Sequence, residues 1–362
     1  NKYEIFKNPT FFDELKDLGM FWTSIYSNDG VYCDDEALKY IHCFMAYPNE
    51  YWKYPISVFY QKNKNISNEE FKNAFTMYLR KLISFMFVKF IESPTVNAVK
   101  PYVFNFCIDT YYKNEIDCST FQMPDDIKSR INAFSSSRIT KALLLLNSYL
   151  FDESQKLIQG KSEIEHIFPQ SWQDTNYNGW SKAEAETHLN MLGNKIIFEK
   201  RLNIQAGNNY FGKKKDKYKE SKIKEVQYLS QIPQNDWLKE DIENRNAEII
   251  DRLYSFFVEN LPHKAQEDTN LLFELKAGDE IYKVYQVIEK NTGVEHFRID
   301  KHVYDLSNSD IFNKTLIDVT ENFVSLQEAV SSIDRKVYYS GQIKLLNENL
   351  RKDINIYLSA SN

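Results

Sequence analysis

From Phe71 to Ile91 apolar residues recur every third or fourth position, with no glycine or proline in the run. They fall at Phe71, Phe75, Tyr78, Leu79, Leu82 and Phe85, and continue into Phe87, Val88, Phe90 and Ile91. That spacing follows the turn of an α-helix, not the two-residue alternation of a strand. A helix this apolar needs neighbours to cover it, so the first part of the chain is expected to be a helical assembly. A second clear helix spans Ile139 to Phe151, with Leu143 to Leu146, Tyr149 and Leu150, behind an N-capping cluster at Ser135–Ser137. Turn signals at Ser93–Pro94 and Met123–Pro124–Asp125–Asp126 divide the helices. His42 sits in Tyr40-Ile41-His42-Cys43-Phe44 and reads as a packed structural histidine.

Two changes of pattern follow. From about residue 160 the steady helical period gives way to short apolar stretches, Asn-rich turns and a lysine run. It closes on a helix from Trp237 to Phe257 with Ile242, Ile249, Leu253 and Phe257 on one face. From about residue 268, Leu271–Leu275 and Glu280–Ile288 are rich in β-branched and aromatic residues around the turn Ala277-Gly278-Asp279, which predicts a hairpin. The expected class is therefore α+β, in three parts: a helical region over 1–158, a second domain over 159–262, and a small strand-rich C-terminal domain over 263–362.

A chain of 362 residues is long enough for such a division. At 43% hydrophobic and 27% charged it is a folded chain and not a disordered one. Cys33, Cys43, Cys107 and Cys118 form no C-x-x-C pair and have no histidine at zinc-finger spacing, so reduced thiols in a cytoplasmic protein are expected. No apolar run approaches the roughly 20 residues of a membrane span. Asn1-Lys2-Tyr3-Glu4 has neither signal-peptide character nor an initiator Met, and a fragment of a longer protein is expected.

The stretch with chemical content is Glu163-Ile164-Glu165-His166-Ile167-Phe168-Pro169-Gln170. It reads as a strand ended by proline, with Glu165 and His166 on opposite faces. A second element follows at Leu192-Gly193-Asn194-Lys195-Ile196-Ile197-Phe198. A third begins near Arg201-Leu202-Asn203 and runs into Tyr210-Phe211-Gly212-Lys213-Lys214-Lys215-Asp216-Lys217-Tyr218. Strand, turn, strand and helix can bring a carboxylate, an imidazole and two carboxamides to one point. Oxygen ligands from Glu and Asn suit Mg²⁺ or Mn²⁺. A neutral histidine can take a proton from water near neutral pH. Together these are the parts of a phosphodiesterase.

E-H-I-F-P-Q, then L-G-N-K-I-I-F, then N-x-x-x-x-N-x-x-F-x-x-K-K-x-x-Y resembles the HNH, or His-Me finger, nuclease motif. More narrowly it resembles the nuclease half of GmrSD-type modification-dependent restriction enzymes, from about Ile164 to Ser221 and more weakly through Trp237, Ile242, Arg245 and Leu253. The resemblance implies a ββα-metal core and a metal-dependent endonuclease, acting on DNA with RNA open, in a bacterial restriction or phage-defence system. It implies His166 as general base, Asn194 as the residue that orients it or braces the hairpin, and Glu165 and Asn203 as metal ligands. Lys213 and Lys214 match paired lysines of the family, and with Lys195 they are the candidates for nucleic-acid contact. Ser137-Arg138-Ile139-Thr140-Lys141-Ala142-Leu143-Leu144 resembles the helix that precedes the nuclease in that family. The family's ParB-like nucleotide-hydrolysing core has no D-G-Q-Q-R run here, so it is expected as a partner and not as part of these residues. A non-catalytic fragment that binds nucleic acid or a partner is the alternative. Trp172, Tyr177, Trp180, Tyr210 and Phe211 could stack on bases, with Phe211 expected in the core. His188 matches no motif position.

The net charge of −6 argues against a uniformly basic nucleic-acid binder. It is an average over unlike parts. Lys195 to Lys224 holds ten basic and three acidic residues, +7, so the remainder carries −13. A basic stripe beside the proposed site predicts local, salt-sensitive binding.

Overall fold

The computed structural model describes residues 7–114, 116, 121, 123–133, 137–171, 180–261, 267–289, 294–304, 316–333, 336 and 342–345. The chain divides into two units, Asn1–His263 and Lys264–Asn362. The class is mixed α+β. No helix among the described residues is long and apolar enough to cross a membrane.

The first unit begins with α1 (Phe11–Ser27), α2 (Asp35–Met45), α3 (Lys53–Asn63), α4 (Asn68–Glu92), α5 (Lys100–Lys113), α6 (Ile127–Asn132) and α7 (Ser137–Phe151). The apolar run read from the sequence is α4. Its start is set by a capping box, in which the Ser67 hydroxyl accepts from Glu70 N and the Glu70 carboxylate accepts from Ser67 N. From Leu82 to Val88 every side chain is buried, because helices cover α4 on all sides. Rings fill much of the space: Phe21 stacks on Tyr60 at 4.2 Å, Phe59 lies 4.5 Å from Tyr78, and Phe44 stacks on Trp52 at 5.2 Å. Each buried ring adds about 2–3 kcal/mol of transfer free energy. α7 begins two residues ahead of Ile139, and Ser135 and Ser136 of the expected cap lie outside the described residues. His42 is the packed histidine expected: its Nδ1 meets the Tyr149 hydroxyl at 2.6 Å, and burial, with Lys141 nearby, lowers its pKa to about 4. Cys33, Cys43 and Cys107 are free thiols, and Cys118 lies outside the described residues.

After α7 come β1 (Ser162–His166), α8 (Lys182–Asn190), a 3₁₀ turn (Leu192–Asn194), β2 (Lys195–Glu199), α9 (Lys200–Ala206), α10 (Phe211–Tyr218), α11 (Lys224–Gln231) and α12 (Lys239–Asn260). β1 and β2 pair antiparallel from Ser162 opposite Glu199 to His166 opposite Lys195. The third element read from the sequence is two helices, because Gly207 at φ 56° ends α9 in a conformation that costs other residues dearly. One continuous core runs from Phe21 to Leu261, so the helical region and the hairpin segment share their packing.

The second unit holds β3 (Glu267–Ala277), β4 (Glu280–Glu289), β5 (Glu295–Tyr304), β6 (Leu316–Phe323), α13 (Leu326–Ser331) and β7 (Gln342–Leu345). The strands form one antiparallel sheet in the order β6-β5-β4-β3-β7. The hairpin expected at Ala277–Asp279 is the β3–β4 turn, with Gly278 at φ 64°. A register shift between Leu271 and Phe273 lets neighbours Leu272 and Phe273 both be buried. Ala329 and Val330 of α13 join them, with Leu275, Tyr282, Val284, Ile299 and Ile333, in a small core of its own.

Candidate functional site

The site is built where the β1–β2 hairpin opens at His166 and Lys195. Asn194 has no exposed surface. Its Oδ1 accepts from Phe168 N at 2.7 Å, its Nδ2 donates to Phe168 O at 3.2 Å, and its backbone oxygen accepts from Ile167 N at 2.9 Å. One residue therefore pins the two that follow His166, using both ends of its amide.

Asn194 is itself held from behind by α12. Gly193 lies so close to that helix that a Cβ would stand 2.0 Å from the Ile242 carbonyl oxygen, and its N–H donates to Asn246 Oδ1 at 3.0 Å. Arg245 Nη1 donates to the carbonyls of Leu192, Gly193 and Lys195 at 3.2, 2.8 and 2.9 Å. Its Nη2 pairs with buried Glu225 at 2.5 Å, and Glu225 accepts from Asn147 and Ser148 of α7, both at 2.8 Å. The turn that carries Asn194 is thus tied through two helices to the helical region.

His166 is half-buried. Its pKa falls to about 4, chiefly from loss of water, with Lys195 and Lys214 adding positive charge nearby. The ring is neutral at physiological pH. Its only described side-chain neighbour at hydrogen-bonding range is Gln170, whose Nε2 stands 3.4 Å from its own Nε2, a long contact.

Glu165 points the other way, into the interior, as strand alternation requires. Its Oε1 takes Lys214 Nζ at 2.7 Å and Tyr218 OH at 3.1 Å. Burial raises the pKa of Glu165 and lowers that of Lys214, and the charge of each opposes the shift of the other. Lys214 Nζ also donates to the His166 carbonyl oxygen at 2.5 Å. Lys214 is 2% exposed, so the structure places it as a brace under the strand and not on the surface expected for a phosphate contact. Lys195 is also buried, and its Nζ caps α8 through Asn190 O at 2.9 Å. Lys213 alone of the three is exposed. The register explains the split: α10 turns Phe211, Lys214 and Tyr218 to the core and Lys213 to water.

Asn203 lies inside α9, half-buried, and its carboxamide makes no hydrogen bond with the described residues. Among the described residues no group of three or more His, Cys, Asp or Glu could hold an ion. Of the donors expected from the sequence, Asn203 suits Mg²⁺ in kind. Asn203 offers a carboxamide oxygen that has no partner among the described residues. Glu165 does not fit the ligand role expected of it, because it is buried, faces away from His166 and is already paired with Lys214. Mg²⁺ commonly takes one or two protein oxygens and completes its shell with water and phosphate.

Trp180 is buried against Phe168 at 4.5 Å, Phe211 is in the core, Tyr210 is half-exposed, and Trp172 and Tyr177 lie outside the described residues. His188 joins α8 to α12 through Glu243 at 2.9 Å. Tyr218, Asn246 and Glu225 were missed as supports of the site. Only Tyr218 left a signal, one helical turn beyond Lys214.

Residues 125–252, which run from the start of α6 through most of α12, match a family of restriction endonucleases. The family is described as GmrSD restriction endonucleases, C-terminal domain, and this segment is similar to that domain. The match covers every residue of the site above. The chain matches none of the curated proteins.

Proposed function

We propose that the chain is a metal-dependent endonuclease of the HNH type, with a ββα-metal core formed by β1, β2 and α9, and that it cleaves DNA in a bacterial restriction or phage-defence system. The observation that carries this reading is a neutral histidine at the end of β1, its following turn pinned by Asn194, with Asn203, unpartnered among the described residues, on the helix that follows β2. The family match supports the nuclease activity.

In this mechanism His166 takes the proton of the attacking water. A pKa near 4 makes the ring a weak base at rest, and an arriving phosphate, being negative, raises its proton affinity. Asn194 and Lys214 keep the strand end rigid so that the ring meets the water in one orientation. An ion held at Asn203, Mg²⁺ or Mn²⁺, would supply charge stabilisation at the phosphate oxygens. The resemblance implies 5′-phosphate and 3′-hydroxyl products. One site cuts one strand, so a single chain nicks, and a ParB-like nucleotide-hydrolysing domain is the proposed partner.

The test is conversion of supercoiled plasmid to open circles with Mg²⁺ or Mn²⁺. His166→Ala should slow it at least about 100-fold, and Asn203→Ala should raise the metal concentration required. Cleavage by His166→Ala at the parent rate would overturn the assignment.

A further inference from the structure

Most of the basic stripe is already partnered within the protein. Lys195 and Lys214 are buried on Asn190 and Glu165, and Lys215 donates to the carbonyls of Ile232 and Gln234. Lys200, Lys217 and Lys219 pair with Glu163, Glu220 and Asp216. Arg201, Lys213, Lys222 and Lys224 remain exposed, with no ion pair among the described residues. Three of those four line one groove of about 760 Å³, and a fourth cation, exposed Lys156, faces it from the segment after α7.

The carboxylates of this groove are already occupied. Glu199 accepts from Ser221 Oγ at 2.8 Å and Lys222 N at 2.7 Å, and Glu220 is held by Lys217 at 2.6 Å. Asp152, near Lys224, is tied to the Ser154 hydroxyl and N–H at 2.6 and 2.8 Å. Leu157, Ile158, Leu202 and Ile223 form an apolar floor. The groove adjoins the Ser162–Glu199 end of the hairpin, while His166 stands at the other end, four residues along β1. At about 3.4 Å per residue that is roughly 13 Å, or about four nucleotide steps of a duplex strand. Arg201 and Leu202 precede Asn203 on the same helix.

We propose that this groove is a second nucleic-acid contact, in which Lys156, Arg201, Lys222 and Lys224 hold the phosphate backbone of the strand flanking the cleavage point. The proposal rests on the nuclease reading for its ligand. Cations from three separate segments face one channel, and its carboxylates are already engaged in place, which suits a continuous polyanion. The hairpin and α9 join the channel to the candidate site, which favours nucleic acid over an acidic peptide.

The experiment uses the full chain carrying His166→Ala, in EDTA, so that binding is read without cleavage. Fluorescence anisotropy with a labelled 30-base-pair duplex is measured across a salt series. Lys222→Glu/Lys224→Glu should weaken binding about tenfold or more and flatten the salt dependence by roughly two counterions. Lys156→Glu, on the segment after α7, should act in the same direction, and Lys219→Glu outside the groove should not. Thermal melting checks that each variant is folded. Unchanged affinity and slope in both groove variants would overturn the proposal, as would a parent that binds no duplex, or loss of poly-glutamate binding without loss of duplex binding. A groove that binds while the plasmid assay shows no cleavage would leave this inference standing and remove the nuclease reading instead.

Discussion

The helical region and the hairpin segment share one core but fill it differently. From α1 to α7 the buried polar side chains are neutral, such as Ser24, Asn63, Thr76, Ser84 and Asn147, set among aromatic rings. The buried charged side chains among the described residues are Glu165, Lys195, Lys214, Glu225 and Arg245, and all lie between residues 165 and 245. Taking a charge out of water costs several kcal/mol, and a buried pair seldom repays more than it loses. The hairpin segment carries that cost where it fixes geometry: Arg245 on the turn before β2, and Lys214 under His166. The helical region has no such turn to hold, and apolar packing suffices.

The sharpest way to break this contrast is Arg245→Met. It should strip three carbonyls of their donor and leave Glu225 buried without its cation, at a cost of about 3–5 kcal/mol. Urea denaturation measures it, and a change under 1 kcal/mol would mean the network is ornamental to stability.

Lys214→Met should cost about 3 kcal/mol by stranding Glu165. Adding Glu165→Leu should return most of that stability while nicking stays low. If cleavage returned along with stability, the pair would be a packing feature and nothing more.

The two depressed histidines compare the regions directly, His42 in the helical core and His166 in the site. Each binds fewer protons folded than unfolded between about pH 4 and 6.5, so stability should fall as pH drops through that window. The loss is on the order of 3 kcal/mol for His42 and less for His166, whose ring keeps some water. His42→Gln should flatten the curve of urea midpoint against pH, and an unaltered slope would contradict its buried, neutral state.

Gly193→Ala should cost about 1–3 kcal/mol through overlap with the Ile242 carbonyl, with a larger fall in nicking as Asn194 shifts. Parent-like activity would show that α12 yields to the methyl group. The smallest effect belongs to the helical region. Ser84 Oγ is buried without a hydrogen-bond partner, so Ser84→Ala should leave the melting temperature unchanged or slightly raised.

Much of this was legible in advance. α4 and α7, the β3–β4 hairpin, and the strand carrying Glu165 and His166 follow from local period and turn chemistry, which act over a few residues. The site motif was legible because its residues keep fixed spacings along the chain. What was not legible is which cations are free. Lys213 and Lys214 are adjacent and chemically identical, and only the facing of α10 separates a solvated lysine from one locked on Glu165. The same holds for Lys195 and Asn190.

The sequence alone determined where the apolar faces lie, hence the helices and strands, and it is the source of the proposed set His166, Asn194 and Asn203. Tertiary structure alone decided that α12 presses on Gly193, that Glu225 joins α7 to Arg245, and that Lys156, Arg201, Lys222 and Lys224 line one groove. Periodicity is a property of neighbours in the chain. The fate of a charge depends on what the fold brings beside it and on how much water it leaves there.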